Sequence, residues 1–103
     1  MSDYLLSNFR KLQTENIGLL KDISIADADV LTLAEDQRVR LTNLSKATSL
    51  AKSKTLKTYI TIKDVSGNLH KFQLNIIGFN HAETFTDNGY AIPLKAIYSV
   101  DFL

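Results

Sequence analysis

The residues in this sequence that are best suited to chemistry are basic side chains in the middle of the chain. Residues 37–63 contain seven lysines and arginines and no aspartate or glutamate. Such side chains neutralise phosphate groups, and a neighbouring aromatic ring can stack on a base. The run therefore predicts a site for RNA or another single-stranded nucleic acid, formed by Lys46, Lys52, Lys54, Lys57 and Tyr59.

The same charges have a second interpretation. Residues 1–36 carry seven acidic side chains against three basic ones, so the acidic first third could pair with the basic middle inside the molecule. The net charge of the whole chain is only +1, which is modest for a protein that binds nucleic acid. Both interpretations stay open.

Neither a catalytic nor a metal site is indicated by a motif. The chain has no cysteine, and its two histidines are His70, inside an apparent strand, and His81, in a loop near Glu83 and Asp87. A metal site needs three or four converging ligands, so a solvated loop is the expected environment of His81. No nucleophile elbow and no glycine-rich phosphate loop occurs. The sequence predicts a protein that is not an enzyme, with no catalytic residue, metal or cofactor.

The first half of the chain has the apolar spacing of helices. Apolar residues recur every three or four positions over residues 3–22, which predicts a helix that Gly18 interrupts. Its stripe of Leu5, Phe9 and Leu12 could also join two copies of the chain into a homo-oligomer.

A second helix is predicted from about Val30 to Ala51, after a capping box at Ser24 and Asp27. Residues 30–33 and 38–41 could instead be two short strands. The helix is preferred because its spacing persists to Ala51 and the intervening residues contain no Gly, Asn or Pro.

The second half of the chain has the residue pattern of short β-strands. Residues 56–78 resemble a β-hairpin around Ser66-Gly67-Asn68, and Asp87-Asn88-Gly89 predicts a type I′ turn in a second hairpin. Pro93 cannot donate to a ladder, so it should end a strand, with one short turn before a last strand at 97–102. These elements predict an α+β fold: a helical N-terminal half, then a five-stranded antiparallel SH3/Sm-like small barrel.

Length and composition predict one domain over residues 1–103, with a helical extension at 1–54 and the barrel at 55–103. The apolar stretches are too short to span a membrane, and Met1 is followed by Ser-Asp and not by a signal segment. The expected location is therefore cytoplasmic, without membrane contact.

The last part of the chain carries a longer pattern. Residues 46–50 read Lys-Ala-Thr-Ser-Leu, residues 62–67 end a strand in Asp-Val-Ser-Gly, and residues 89–102 follow Gly-x-x-Ile-Pro-x-x-x-Ile-x-x-Val-x-Phe. This pattern resembles a group of short bacterial proteins with a C-terminal SH3/Sm-like small barrel. The resemblance implies a barrel of a kind that binds RNA or proteins, by analogy of fold alone.

Together these observations predict a non-catalytic binding module whose partner is nucleic acid. The alternative is a protein-interaction or assembly module, in which an exposed sheet edge or the N-terminal stripe meets a partner protein or a second copy.

Overall fold

The structure is a computed structural model that describes residues 13–51 and 57–102. Within these ranges the regular structure is one α-helix, six strands and two short 3-10 helices. In chain order they are a first 3-10 helix Ile17–Asp22, α1 Ala34–Leu50, β1 Thr58–Lys63, β2 Leu69–Gln73, β3 Ile76–Phe79, β4 Glu83–Thr86, β5 Ala91–Pro93, a second 3-10 helix Leu94–Ala96 and β6 Ile97–Phe102.

The strands form two antiparallel sheets of three. One has the order β2-β1-β6, and the other has the order β3-β4-β5. In the first sheet Ile60 of β1 lies between Phe72 and Val100, which places alternate apolar residues on the inner face. The ladder between β1 and β6 is irregular after Thr61, where the register shifts.

The predicted five-stranded barrel is wrong. The described strands number six, and no pairing between them joins one sheet to the other. The predicted return strand breaks at Leu74 and Asn75, so that β2 and β3 belong to different sheets. Helix α1 packs against both β3 and β6, one strand from each sheet. The helix therefore covers part of a core to which both sheets contribute.

Both predicted hairpins are confirmed, and they use the same kind of loop. In each connection three residues lie between a hydrogen-bonded closing pair, Asp64 with Asn68 or Thr86 with Tyr90, and the last of the three is Gly67 or Gly89, at φ +88° or +89°. The Gly67 amide donates to the Asp64 carbonyl, and the Gly89 amide donates to the Thr86 carbonyl. Among the described residues only these glycines have positive φ, so the turn at Gly89 is not type I′ but a type I turn with a G1 bulge.

The helical N-terminal half is also wrong as predicted, because its first helix, over residues 3–22, is not an α-helix in its described part. Residues 13–31, here called the strap, contain only the short 3-10 helix and otherwise run irregularly across the sheets. Asn16 caps this 3-10 helix by accepting a hydrogen bond from the Gly18 amide. Residues 1–12, which include the stripe Leu5, Phe9 and Leu12, lie outside the described residues.

The strap is fixed to the sheets and to the second 3-10 helix at several backbone positions. The Glu15 amide donates to the Lys71 carbonyl, and the Ser24 carbonyl accepts from the Val65 amide. The Val30 amide donates to the Lys95 carbonyl. Its apolar side chains, with the spacing that predicted a helix, pack partly buried against the core: Ile17, Leu20, Ile23 and Ile25.

The second predicted helix is confirmed from Ala34 to Leu50, and the strand alternative for residues 38–41 is wrong. The helix begins later than predicted, and its N-cap residue Leu33 makes no side-chain capping bond, so the predicted capping box at Ser24 and Asp27 does not cap it. Leu44 and Ala47 on one helix face enter a single core with both sheets. The core residues that are at most 1% exposed are Leu44, Ala47, Ile60, Ile62, Phe72, Ile76, Ile92, Ala96 and Ile97.

Pro93 ends β5 as predicted, and the second 3-10 helix follows it directly. The chain then enters β6, an edge strand of its sheet. Two side chains of α1 bond to carbonyls of this strand: Arg40 Nη1 donates to Ile97 at 3.0 Å, and Asn43 Nδ2 donates to Val100 at 3.4 Å. A search of the described helices for a membrane-spanning segment finds none.

Candidate functional site

A cation and an aromatic ring meet where α1 passes the end of β6. The Lys46 Nζ atom lies 4.9 Å from the centre of the Phe102 ring, within the range of a cation–π contact. Lys46 is exposed on α1, while Phe102 is partly buried and packs against the core. The core therefore holds the ring in place, and the lysine lies over it.

The strand pairing brings a second predicted site residue to the same place. Phe102 pairs with Thr58, the first residue of β1, and Lys57 immediately precedes Thr58. Lys57 is exposed. The pairing of β1 with β6 thus brings the main chain of Lys57 next to the residue pair Thr58 and Phe102, while Lys46, eleven positions away in the sequence, lies over the Phe102 ring. We call Lys46, Lys57 and Phe102 the cationic end.

Two of the predicted site residues lie outside the described residues. They are Lys52 and Lys54, which belong to the chain segment 52–56 between the last turn of α1 and the start of β1. The structure therefore does not test their part in the predicted site.

Tyr59, the fifth predicted residue, lies one position further along β1, so its side chain points to the opposite face of the sheet from Thr58 and Phe102. Its ring lies 5.5 Å from the Nζ of Lys71, a buried lysine of β2. Sequence reasoning did not select Lys71. The available signal was its alternation with Phe72, which faces the core and so directs Lys71 to the other face.

One acid lies close to this second cation–aromatic pair. Asp101 of β6 pairs with Tyr59, and its Oδ2 accepts a hydrogen bond from the Ser99 hydroxyl at 3.0 Å. Burial raises the pKa of Asp101 above 3.8, although the Ser99 hydrogen bond and the charge of Lys71 act in the other direction. The acid therefore faces a lysine on its own side of the sheet, and Lys46 lies on the other side.

The basic run does not act as one surface, because Arg40 is buried at 4% exposure. Its Nη1 and Nη2 atoms donate to the two carboxylate oxygens of Asp29 at 2.8 and 2.6 Å. The hydrogen bond from Arg40 is the main reason that the pKa of Asp29 lies below 3.8. For this residue the interpretation of acid–base pairing inside the molecule is confirmed.

His70 is bonded to two carboxylates through different ring nitrogens. Its Nδ1 lies 2.9 Å from Glu15 Oε2, and its Nε2 lies 2.8 Å from Asp64 Oδ2. Sequence reasoning missed this cluster because its acids come from the strap and from a hairpin loop, 55 and six positions away from the histidine respectively. The two carboxylates lie on separate nitrogens and do not converge on one point, which is unlike a metal-binding arrangement.

His81 is exposed in the β3–β4 loop, where the Asn80 side chain accepts hydrogen bonds from the amides of Ala82 and Glu83. Asp87 instead accepts a hydrogen bond from the Asn75 side chain. The expected solvated loop is thus confirmed for His81. Over residues 13–51 and 57–102, no three His, Cys, Asp or Glu side chains form a group that could hold a metal ion.

Comparisons of this chain with protein-family models, with curated proteins and with solved structures return no match. The resemblance of residues 46–102 to short bacterial proteins therefore stays a prediction.

Proposed function

We propose that this protein is a non-catalytic module that binds single-stranded nucleic acid, RNA in particular, at the cationic end. The observation that carries the proposal is the placement of Lys46 over the Phe102 ring beside exposed Lys57. Lys46 thus lies over an aromatic ring that the core holds in place, and Lys57 precedes the strand residue that pairs with Phe102.

The arrangement suits a flexible phosphate backbone. Lysine side chains from two elements that meet at one strand end can contact phosphates of the same nucleic-acid strand, and each contact releases counterions. Lys52 and Lys54 stand between Lys46 and Lys57 in the sequence, so the predicted site contains four lysines. An aromatic ring under a cation is also a surface on which a base can stack.

The non-catalytic part of the proposal is supported by the environment of His70. A general base needs a ring nitrogen with a free lone pair facing the substrate. As long as the ring is protonated, both nitrogens of His70 donate to carboxylates, which leaves this histidine no such atom.

Fluorescence anisotropy with a labelled oligouridine tests the proposal. Titrations at about 50 and about 200 mM salt should show affinity that falls steeply with salt, because each phosphate contact on a single strand adds about 0.7 to the slope of log K against log salt. The double variant Lys46→Gln/Lys57→Gln should bind more weakly and lose about 1.4 from that slope.

The chain offers a matched control at the other end of β1. Lys63 lies 5.6 Å over the Tyr98 ring, and the strand rise places it roughly 16 Å from the start of β1. The variant Lys63→Gln removes one charge and one cation–aromatic pair but leaves the cationic end intact. The proposal would be contradicted if Lys63→Gln weakened binding as much as Lys46→Gln/Lys57→Gln does, or if the unmodified protein showed no salt-dependent binding.

A further inference from the structure

We propose that Glu15, His70 and Asp64 form a proton-dependent clasp that fastens the start of the strap to β2. The clasp releases the Glu15 side chain when His70 loses its proton. This His70 clasp is independent of nucleic-acid binding, because none of its residues belongs to the cationic end.

The proposal rests first on the geometry of the imidazole ring. A neutral imidazole has one N–H donor and one lone pair, whereas the protonated ring has two donors. Both nitrogens of His70 lie within 2.9 Å of carboxylate oxygens, which can only accept. Only the protonated ring satisfies both contacts. When the ring loses a proton, one of its two nitrogens presents a lone pair to a carboxylate instead of an N–H donor.

The structure also indicates which contact fails. Asp64 is held by its own loop, since its Oδ1 accepts hydrogen bonds from the Ser66 and Asn68 amides. Its side chain is 15% exposed, against 30% for Glu15. The better-held acid should keep the remaining N–H on Nε2, so the Glu15 contact on Nδ1 is the one that opens.

Glu15 is a fastening point of the strap because its main chain is bonded there too. Its amide donates to the Lys71 carbonyl at 2.8 Å, and the neighbouring Thr14 forms a parallel bridge with Lys71. The next backbone bond from the strap to the first sheet or its loops is at Ser24. Opening the side-chain contact therefore weakens the attachment of the residues around Glu15.

The charged groups that face His70, among the described residues, determine which protonation state of the ring the clasp favours. The strap contributes Glu15, the hairpin loop contributes Asp64, and the cross-strand partner on β1 is the apolar Ile62. The nearby lysines are directed to aromatic rings, Lys63 to Tyr98 and Lys71 to Tyr59. The protonated ring is thus faced by two carboxylates.

The direction of the pH effect follows from these contacts. The hydrogen bond that the ring donates to Asp64 raises the pKa of His70 above 6.5, and Glu15 adds to the rise, while burial opposes it. A raised pKa means that the clasp contributes fully below pH 6.5 and that this contribution is lost as the pH rises through the pKa of the folded state. The strap should therefore loosen on the alkaline side.

Amide hydrogen exchange measured by NMR tests the clasp in the full chain. The protection factor of the Glu15 amide, corrected for intrinsic exchange, should fall between about pH 6 and about pH 9. The expected fall is about tenfold for each unit by which the pKa of His70 in the closed clasp exceeds its pKa in the open clasp. The ¹⁵N shifts of His70 should show protons on both nitrogens at the lower pH and on Nε2 alone at the higher pH.

Two conservative variants separate the clasp from a purely structural contact. Glu15→Gln offers a side-chain amide that can accept from the protonated ring or donate to the neutral one. The protection factor of the backbone amide at position 15 should therefore no longer depend on pH. His81→Gln removes the exposed histidine and should behave like the unmodified protein. A pH-independent protection factor in the unmodified protein, or full pH dependence in Glu15→Gln, would overturn the proposal.

Discussion

Arg40 shows how one charged residue of the basic run serves the fold. Its guanidinium group joins three parts of the chain, since α1 carries it, the strap supplies Asp29, and β6 supplies the Ile97 carbonyl. Asp29 also accepts the amide of Leu31, which shapes the end of the strap. Removing one partner of a buried pair leaves a charge without compensation, which is more costly than removing both.

We expect Asp29→Asn to lower the free energy of unfolding by about 3 kcal/mol at neutral pH, because the buried guanidinium loses its counter-charge. The double variant Asp29→Asn/Arg40→Met should recover more than half of that loss. Urea denaturation measures both values, and Asp27→Asn, at an exposed position two residues earlier, should change stability by less than about 0.5 kcal/mol. A double variant no more stable than the single one would contradict this account.

The same pair sets part of the acid sensitivity. Because the pKa of Asp29 in the folded protein lies below 3.8, its contribution is present above that pH and is lost as the pH falls through the lowered value. The stability of Asp29→Asn should therefore fall less in acid than that of the unmodified protein.

At the scale of elements, the two hairpin loops are built alike. Each needs a glycine in the left-handed region at its third loop position, and a Cβ there would cost conformational energy even where space is open. At Gly89 nothing lies within 4 Å of an added Cβ, so any cost of substitution comes from the backbone alone.

We expect Gly67→Ala and Gly89→Ala each to destabilise the protein by about 1 kcal/mol, the cost of a left-handed alanine. Gly78→Ala is the matched control, because an added Cβ there also has open space while its φ is not in the left-handed region. Thermal or urea unfolding would measure the difference. A loss at Gly78 equal to that at Gly89 would show that the backbone argument is wrong.

The elements also show what the sequence could reveal. The residue types along the chain predict the loops at Gly67 and Gly89, the strand end at Pro93 and the last strand. These predictions are confirmed. The first part of the strap was mistaken for a helix because Leu20 and Ile23 have three-residue spacing, which a 3-10 turn and a sheet-covering segment share with an α-helix. The site residues Lys46 and Lys57 were selected by charge, but their proximity depends on the pairing of β1 with β6.

At the scale of the whole molecule, α1 packs against one strand of each of the two sheets, which do not close into a barrel. Nothing in the local pattern of residues 34–50 indicates that this helix lies against β3 and β6 together, because that contact joins distant parts of the chain. Leu44 and Ala47 then enter a core that also contains residues of both sheets. A shared core of this kind predicts that the sheets unfold together.

We expect Ile60→Ala in the first sheet and Ile92→Ala in the second each to cost about 3 kcal/mol, because both side chains are at most 1% exposed. In each variant, amide NMR signals from β1 and from β4 should disappear at the same urea concentration. Loss of the β4 signals first in Ile92→Ala, with β1 signals retained, would show that the sheets are independent.

The bonds from Arg40 and Asn43 to β6 also bear on how copies of this chain behave at high concentration. An edge strand with open carbonyls is a template on which another molecule can add a strand and begin to aggregate. Here side chains of α1 already occupy the carbonyls of Ile97 and Val100. A second molecule would have to detach the helix before it could extend this sheet, so the docked helix acts as a guard against intermolecular β-sheet growth.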